Sequence, residues 1–175
     1  TSTNDCCMLV ASGKSEVQVD ENNKEFMEAL NSVFVSLAQG LVRDAEGASK
    51  FVTIQVEQGA SQEECLGLAY TVAESPLVKT ALFASDPNWG RILAAVGRAG
   101  INDLVIDKVS IFLGDVCIVE NGAVSPTYNE ADGQRVMDQA EITIRIILGR
   151  GEKTETVWTS DLSHDYVTIN AEYRT

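Results

Sequence analysis

Apolar residues occupy every second position in three short segments of this chain, and this alternation is the pattern that most limits its fold. The three sets are Val52, Ile54 and Val56; Val109, Ile111 and Leu113; and Ile142, Ile144 and Ile146. Successive side chains of a β-strand point to opposite faces, so each set predicts a strand with one apolar face. Residues 154–159 follow the last set after a turn at 149–152, and we expect them to form its partner strand.

The spacing of apolar residues changes to three and four positions from Lys24 onward, as on one face of a helix. This helix is expected to stop near Gly47, because glycine readily adopts the backbone conformation that closes a helix. Ser61 is followed three positions later by Glu64, which is the sequence pattern of a capping box. A second helix is therefore predicted from Ser61 to about Ala73.

Four further elements are predicted from shorter patterns. Residues 77–83 indicate a short helix, and the next helix is expected to take Asp86 as its N-cap and Pro87 as its first residue. Residues 134–140 predict another short helix, and the apolar run at 6–11 predicts a short buried strand. Helices combined with paired strands favour an α/β or α+β sandwich.

The charge balance narrows the choice of partners. Of the 175 residues, 26 are acidic and 13 are basic, which gives a formal net charge of −13. A chain of this charge repels phosphate backbones and anionic lipids, so we expect no nucleic acid and no membrane as partner. No apolar stretch approaches the roughly 20 residues that span a bilayer. The chain opens with Thr1 rather than methionine, so a processed or truncated beginning is expected.

The cysteines and the histidine indicate neither a metal site nor a catalytic site. No CxxC pattern or Cys/His cluster occurs, so no metal is expected, and the thiols indicate a reducing compartment. The only histidine is His164, and an exposed or helix-capping role is favoured for it over a catalytic one. The four cysteines are Cys6, Cys7, Cys65 and Cys117.

Three features allow more than one interpretation from the residues alone. An N-terminal threonine such as Thr1 can act as a nucleophile with its own amine as base, or can simply belong to a polar turn. Glu46 lies at a helix C-terminus, where the dipole disfavours a carboxylate, so it either binds a ligand or is a solvated acid. Residues 86–91 either start a helix with Trp89 in the core or carry a function.

Five segments resemble, in order, the β-chain part of the ornithine acetyltransferase family, and the stretch from 75 to 97 is the most specific. The segments are Ser-Thr-Asn-Asp at 2–5, Arg-Asp-Ala-Glu-Gly at 43–47, Ser-Pro-Leu-Val-Lys-Thr-Ala at 75–81, Ser-Asp-Pro-Asn-Trp-Gly-Arg-Ile-Leu-Ala-Ala-Val-Gly at 85–97 and Asp-Leu-Ser-His-Asp-Tyr-Val-Thr-Ile-Asn-Ala-Glu-Tyr at 161–173.

The resemblance implies a fold, an assembly and an activity. The fold would be an α/β, layered αββα-type sandwich, with a main lobe over 1–100 and a smaller C-terminal lobe over 101–175 whose tail returns to the active site. In this family a precursor cleaves itself before a threonine, and the α and β chains stay together, here expected as an α2β2 assembly. The enzyme moves acetyl from N-acetylornithine to glutamate through an acetyl-threonine intermediate, in cytoplasmic arginine biosynthesis.

The resemblance also distributes roles among residues. The nucleophilic threonine belongs to a motif upstream of residues 2–5 that this chain lacks, so no catalytic residue is expected here and Thr1 is not assigned. Substrate binding carries over to Glu46, Asn170 and Thr175. No cofactor is implied, although acetyl-CoA is a possible acetyl donor. A related self-cleaving amidohydrolase or aminopeptidase, and a non-catalytic subunit that shapes a partner's site, are the alternatives.

Overall fold

A computed structural model of the chain describes residues 6–16, 18–20 and 22–172. The chain divides into two compact units, one up to Leu37 and one from Ala38 onward. Helix α1 spans Lys24–Arg43, as its apolar spacing predicts, and none of its residues is buried. The strand predicted at 6–11 is wrong, because these residues are exposed wherever they are described and form no strand. An apolar run shows a preference for burial but does not specify what would cover it.

The unit from Ala38 onward contains one six-stranded sheet, with strands in the order β4-β3-β2-β5-β1-β6. Strand β1 pairs in parallel with β5 and antiparallel with β6, while β2 pairs antiparallel with both β5 and β3. The strands are β1 (Phe51–Gly59), β2 (Ser110–Leu113), β3 (Val116–Glu120), β4 (Ala123–Val124), β5 (Glu141–Ile147) and β6 (Lys153–Ser160).

All three alternating sets lie in this sheet, but the predicted pairing of β5 with β6 is wrong. Strand β1 lies between them, because the turn that follows β5 crosses the end of β1 instead of closing a hairpin. The backbone N–H groups of Arg150 and Gly151 both donate to the carbonyl oxygen of Gln58, each at 2.9 Å. The sheet also joins β1 to strands from beyond residue 100, so the predicted lobe boundary does not divide it.

Five further helices follow α1, namely α2 (Gln62–Ala73), α3 (Pro76–Phe83), α4 (Trp89–Gly97), α5 (Glu130–Met137) and α6 (His164–Glu172). The capping box of α2 is confirmed in part, because the Ser61 hydroxyl accepts from the Glu64 N–H at 3.1 Å. The Glu64 carboxylate accepts from the N–H of Ala60 at 3.0 Å, one residue before the N-cap.

Two predicted helix starts are corrected. Helix α4 is capped by Asn88 and not by Asp86, because the Asn88 side-chain oxygen accepts from the Arg91 N–H at 3.0 Å. Helix α5 begins four residues before the predicted position. Its cap is Asn129, whose side chain accepts from the N–H of Ala131 at 3.0 Å, and acidic residues follow in the first turn.

The α/β class is confirmed by how the sheet and helices share the core. One face of the sheet carries buried residues such as Ile54 and Ile144, and the inward face of α2 adds Leu68 to the same cluster. The other face is only half-buried, with Thr53, Arg145 and Trp158. Buried alternate positions of parallel and antiparallel strands against helices are the usual core of a layered α/β unit.

Candidate functional site

Glu46 and Asn170, two of the predicted substrate-binding residues, lie in contact although 124 positions separate them. The side-chain nitrogen Nδ2 of Asn170 donates to Oε2 of Glu46 at 2.9 Å. Both residues are exposed, so this bond adds little to folding stability but leaves both polar groups accessible to a small molecule. The contact joins the turn after α1 to the last helix of the chain.

Gly47 explains how the turn after α1 can approach α6 so closely. Its φ angle is +68°, a left-handed conformation that glycine adopts without strain. A β-carbon at this position would lie 2.7 Å from the backbone nitrogen of Tyr166 and 2.9 Å from the hydroxyl of Ser163. The close approach therefore requires the residue next to Glu46 to be glycine.

The first turn of α6 is fixed by Ser163, which is 4% exposed. Its hydroxyl accepts from the N–H of Tyr166 at 3.1 Å, as an N-cap does. One turn further, the carbonyl of Tyr166 accepts a second bond from Nδ2 of Asn170, at 2.9 Å. The amide of Asn170 is thus held by its own helix and by Glu46 together.

A buried carboxylate, Asp161, joins the two segments that carry the pair. Its Oδ1 accepts from the N–H groups of Ser49 and Lys50 at 2.8 and 2.9 Å, and its Oδ2 accepts from the Ser49 hydroxyl at 2.6 Å. Asp161 is 4% exposed. Three donors on one buried carboxylate satisfy most of its hydrogen-bonding capacity and replace its lost hydration.

Two apolar side chains of α6, Val167 and Ile169, are 59% and 42% exposed and do not anchor the helix, while Tyr166 is half-buried. Helix α6 is held at its beginning instead. The ring of His164 meets that of Phe83 edge-on, with centroids 5.6 Å apart and planes at 86°. His164 is exposed and begins α6, as the exposed or helix-capping interpretation predicts.

Two lysines close to this region were not singled out from the sequence. The ammonium of Lys50, in a residue only 9% exposed, donates to the Ser85 hydroxyl at 3.0 Å and to the carbonyl of Met137. Lys79 donates to the Thr159 hydroxyl at 3.0 Å and to a neighbouring carbonyl. Burial lowers the pKa of Lys79, and the charge of Asp161 opposes that shift. Lysine is a surface residue by default, so no sequence signal marks Lys50 as buried or Lys79 as half-buried.

The segment at 86–91 forms a capped helix start. Nδ2 of Asn88 donates to Asp86 at 2.9 Å, and Arg91 donates to the carbonyl of Leu77 at 2.9 Å, tying α4 to α3. Trp89 packs against the core from a partly buried position. Of the two interpretations of this motif, the structure shows the helix start with a tryptophan at the core.

A cleft of about 290 Å³ lies beside this helix start. Its lining includes Asp86, Trp89, Tyr128 and Glu130. Burial, followed by the nearby charges of Glu130 and Asp86, raises the pKa of the Tyr128 phenol. The Tyr128 hydroxyl lies close to Gly133 of α5, where a β-carbon would be only 2.5 Å from it.

The remaining candidates add no site. Thr1 and Thr175 lie outside the described residues. Within 6–16, 18–20 and 22–172, no group of three or more histidine, cysteine, aspartate or glutamate side chains could hold a metal ion. Across the same residues, no helix has the length and apolarity needed to cross a membrane. Cys65 is buried, and this burial raises the pKa of its thiol.

Comparison with known proteins points consistently to one family. The ArgJ family model matches residues 1–175. The arginine biosynthesis bifunctional protein ArgJ of Pseudomonas fluorescens (strain Pf0-1) is 59% identical over 180 residues, covering 100% of this chain and 44% of that protein. The protein of the same name from Psychrobacter arcticus is 54% identical over 179 residues, covering 99% of this chain and 44% of that protein.

A solved structure shows the same fold. The crystal structure of the arginine biosynthesis bifunctional protein argJ from Bacillus halodurans superposes with a TM-score of 0.88 at 32% sequence identity. The match covers 99% of this chain and 83% of that one. The chain spans less than half of the length of the curated relatives that it matches.

Proposed function

Because the chain belongs to the ArgJ family, we propose that it is the β-chain part of an enzyme that transfers acetyl from N-acetylornithine to glutamate in arginine biosynthesis. The contact between Glu46 and Asn170 is the observation that supports this most. Resemblance alone assigns these two residues to substrate binding. They are 124 positions apart in the sequence, yet Nδ2 of Asn170 lies 2.9 Å from Oε2 of Glu46. Both are exposed, as a binding pair must be.

The pair suits a substrate that carries both an ammonium and a carboxylate. Oε2 of Glu46 holds Asn170, and its second oxygen can accept from an ammonium group. An ammonium at Glu46 competes with Asn170 for the carboxylate, which frees an amide N–H to donate to the substrate's carboxylate. Ornithine derivatives and glutamate are substrates of this kind. Thr175 is proposed as a third substrate-binding residue.

The chemical step belongs, in this proposal, to the rest of the protein. A threonine upstream of the chain forms the acetyl-enzyme, and donors of the α chain stabilise the oxyanion. Splitting transfer into two covalent steps explains how one site serves both substrates. Acetyl-CoA is a possible alternative donor, and no cofactor is required.

We further propose that the chain works in an α2β2 assembly in the cytoplasm. The half-buried face of the sheet, which includes Thr53, Arg145 and Trp158, supports association with another part of the precursor. A face of this kind, neither fully polar nor fully covered, suits contact with a second structural layer. The formal net charge of −13 also favours cationic substrates over anionic macromolecules.

A transfer assay on the full-length, processed protein tests the proposal. The protein is incubated with N-acetylornithine with and without glutamate, and N-acetylglutamate and free acetate are both quantified. We expect glutamate-dependent formation of N-acetylglutamate. Release of acetate independent of glutamate would instead support the amidohydrolase alternative, and no reaction with either acceptor would support a non-catalytic subunit.

A further inference from the structure

We infer that Asp161 is a positioning residue for substrate binding, which holds Glu46 at the distance from Asn170 that a substrate requires. The inference rests on the proposed function, because it takes Glu46 and Asn170 as the binding pair. Asp161 hydrogen-bonds neither of them within the described residues; its partners there are Ser49 and Lys50. Its effect on a substrate would therefore pass through the backbone.

The course of the backbone shows why a link is needed at this point. The ladder between β1 and β6 ends where Phe51 faces Ser160. Beyond that pair the two chains leave the sheet, one back towards Glu46 and the other on towards α6 and Asn170. Asp161 is the first residue after the ladder, and it binds the two residues that precede Phe51. Its carboxylate thus connects the two chain segments beyond the point where strand pairing ends.

A second contact, made by Gly47, lies between Asp161 and the pair of Glu46 and Asn170. Gly47 approaches the first turn of α6, where a β-carbon would be 2.7 Å from the nitrogen of Tyr166. From Tyr166, one helical turn leads to Asn170. The segment from Glu46 to Lys50 is therefore held at both ends, by Asp161 at one and by α6 at the other. With both supports in place, the backbone that carries Glu46 is held close to the helix that carries Asn170.

The hydrogen bonds of Asp161 are of the kind that fix geometry. Oδ1 is shared by two consecutive backbone N–H groups, and Oδ2 takes the hydroxyl of Ser49 at 2.6 Å. Bonds to an ionised acceptor are shorter and stronger than neutral ones. Asp161 is 4% exposed, and Lys50, one of its two partners, is 9% exposed. Truncation would leave three donors without their acceptor and let the segment move.

Variants of the full-length protein test this. Asp161→Ala removes all three bonds, whereas Asp161→Asn keeps an oxygen for the backbone donors and a group that can donate to the Ser49 hydroxyl. Ser49→Ala removes one bond only and serves if Asp161→Ala does not fold. Ser61→Ala is the matched control, since it removes an N-cap at the far end of β1.

We expect Asp161→Ala to raise KM for N-acetylornithine about 10-fold, with kcat changed less than about 3-fold, since small displacements of binding groups have effects of this order or larger. Ser49→Ala should raise KM in the same direction by about 3-fold. Asp161→Asn should restore KM to within about 2-fold of the wild-type value, and Ser61→Ala should leave KM unchanged.

A double variant that carries both Asp161→Ala and Glu46→Gln distinguishes a role of Asp161 in positioning Glu46 from a general loss of protein stability. If Asp161 acts through Glu46, adding Asp161→Ala to Glu46→Gln raises KM by less than about 2-fold, because interacting residues are not additive. The inference would be overturned if the KM increase of the double variant equalled the product of the increases in the two single variants. It would also be overturned if Asp161→Ala and Ser49→Ala both folded and had an unchanged KM. If Glu46→Gln alone leaves KM unchanged, the proposed binding pair is itself wrong, and that result is distinct from the first.

Discussion

Gly47 faces the backbone nitrogen of Tyr166 so closely that a β-carbon in its place would lie 2.7 Å away. The same residue has a φ angle of +68°, so both the available space and the backbone conformation require glycine. Neighbouring residues on the two segments, Glu46 and Asn170, are the ones that meet through their side chains. The shape of the candidate site therefore depends on a residue that offers no side chain of its own.

Gly47→Ala is expected to lower the free energy of unfolding by about 1–3 kcal/mol, the usual cost of a residue held in an unfavourable backbone conformation. It should also raise KM for N-acetylornithine, because the turn must move away from α6. Urea denaturation and steady-state kinetics of the full-length protein measure the two effects. Gly67→Ala is the control: this glycine lies inside α2 with nothing within 4 Å of the added β-carbon, so stability should stay equal or rise.

Glu46→Gln is expected to weaken substrate binding by about 1.5–3 kcal/mol, the value of a hydrogen bond to a charged group. Thermal stability should hardly change, because Glu46 is exposed and its bond to Asn170 is a surface one. Isothermal titration with ornithine measures the affinity. Asp44→Asn removes an equal charge two residues away and should bind ornithine as the wild type does; equal affinity of both variants would show that Glu46 is only a surface acid.

The strands and most helices could be predicted because their signals are local. Alternation at Val52, Ile54 and Val56 marks β1, and the Ser61–Glu64 pair marks the beginning of α2. The order of strands in the sheet could not be predicted, because the turn after β5 bonds to the distant Gln58. A sequence pattern shows which face of a strand is apolar but not which strand lies beside it.

The residues of the candidate site also differ in whether the sequence could identify them. Glu46 and Asn170 were found through resemblance to a family, and the structure adds that they touch. No sequence pattern marks Asp161 as part of the site, although it bonds to Ser49 and Lys50 more than 110 positions earlier. Aspartate is normally a surface residue, so its burial depends on long-range contacts that a single sequence does not show.

Asn88→Ala is expected to lower the free energy of unfolding by about 1 kcal/mol, since it removes the N-cap of α4. Asp86→Ala should cost less, because Asp86 supports the Asn88 amide and does not cap the helix. Urea titration of the two single variants, with the same instrument and buffer, ranks them. A larger loss of unfolding free energy in Asp86→Ala than in Asn88→Ala would show that Asp86 caps the helix.

Tyr128→Phe is expected to make stability less sensitive to alkaline pH. Burial raises the pKa of this phenol in the folded protein, so above its ordinary value of about 10 the unfolded chain releases the proton first. The unfolded state is then favoured, and the stability contribution of the neutral phenol is lost as pH rises towards the folded pKa. The unfolding free energy of the wild type minus that of Tyr128→Phe, measured from pH 8 upward, should therefore fall as pH rises. A difference that stays constant with pH would contradict the shift.

Removal of the last four residues, from Glu172 to Thr175, tests the proposed role of the C-terminus. Truncation of a chain end usually has little effect, and the exposed side chains of Val167 and Ile169 indicate that α6 contributes little apolar burial. The melting temperature should therefore be nearly unchanged. Acetyl transfer should nevertheless fall by most of its value, because the proposed binding residue Thr175 is lost while Glu46 and Asn170 remain. Full activity of the truncated protein would exclude Thr175 from substrate binding.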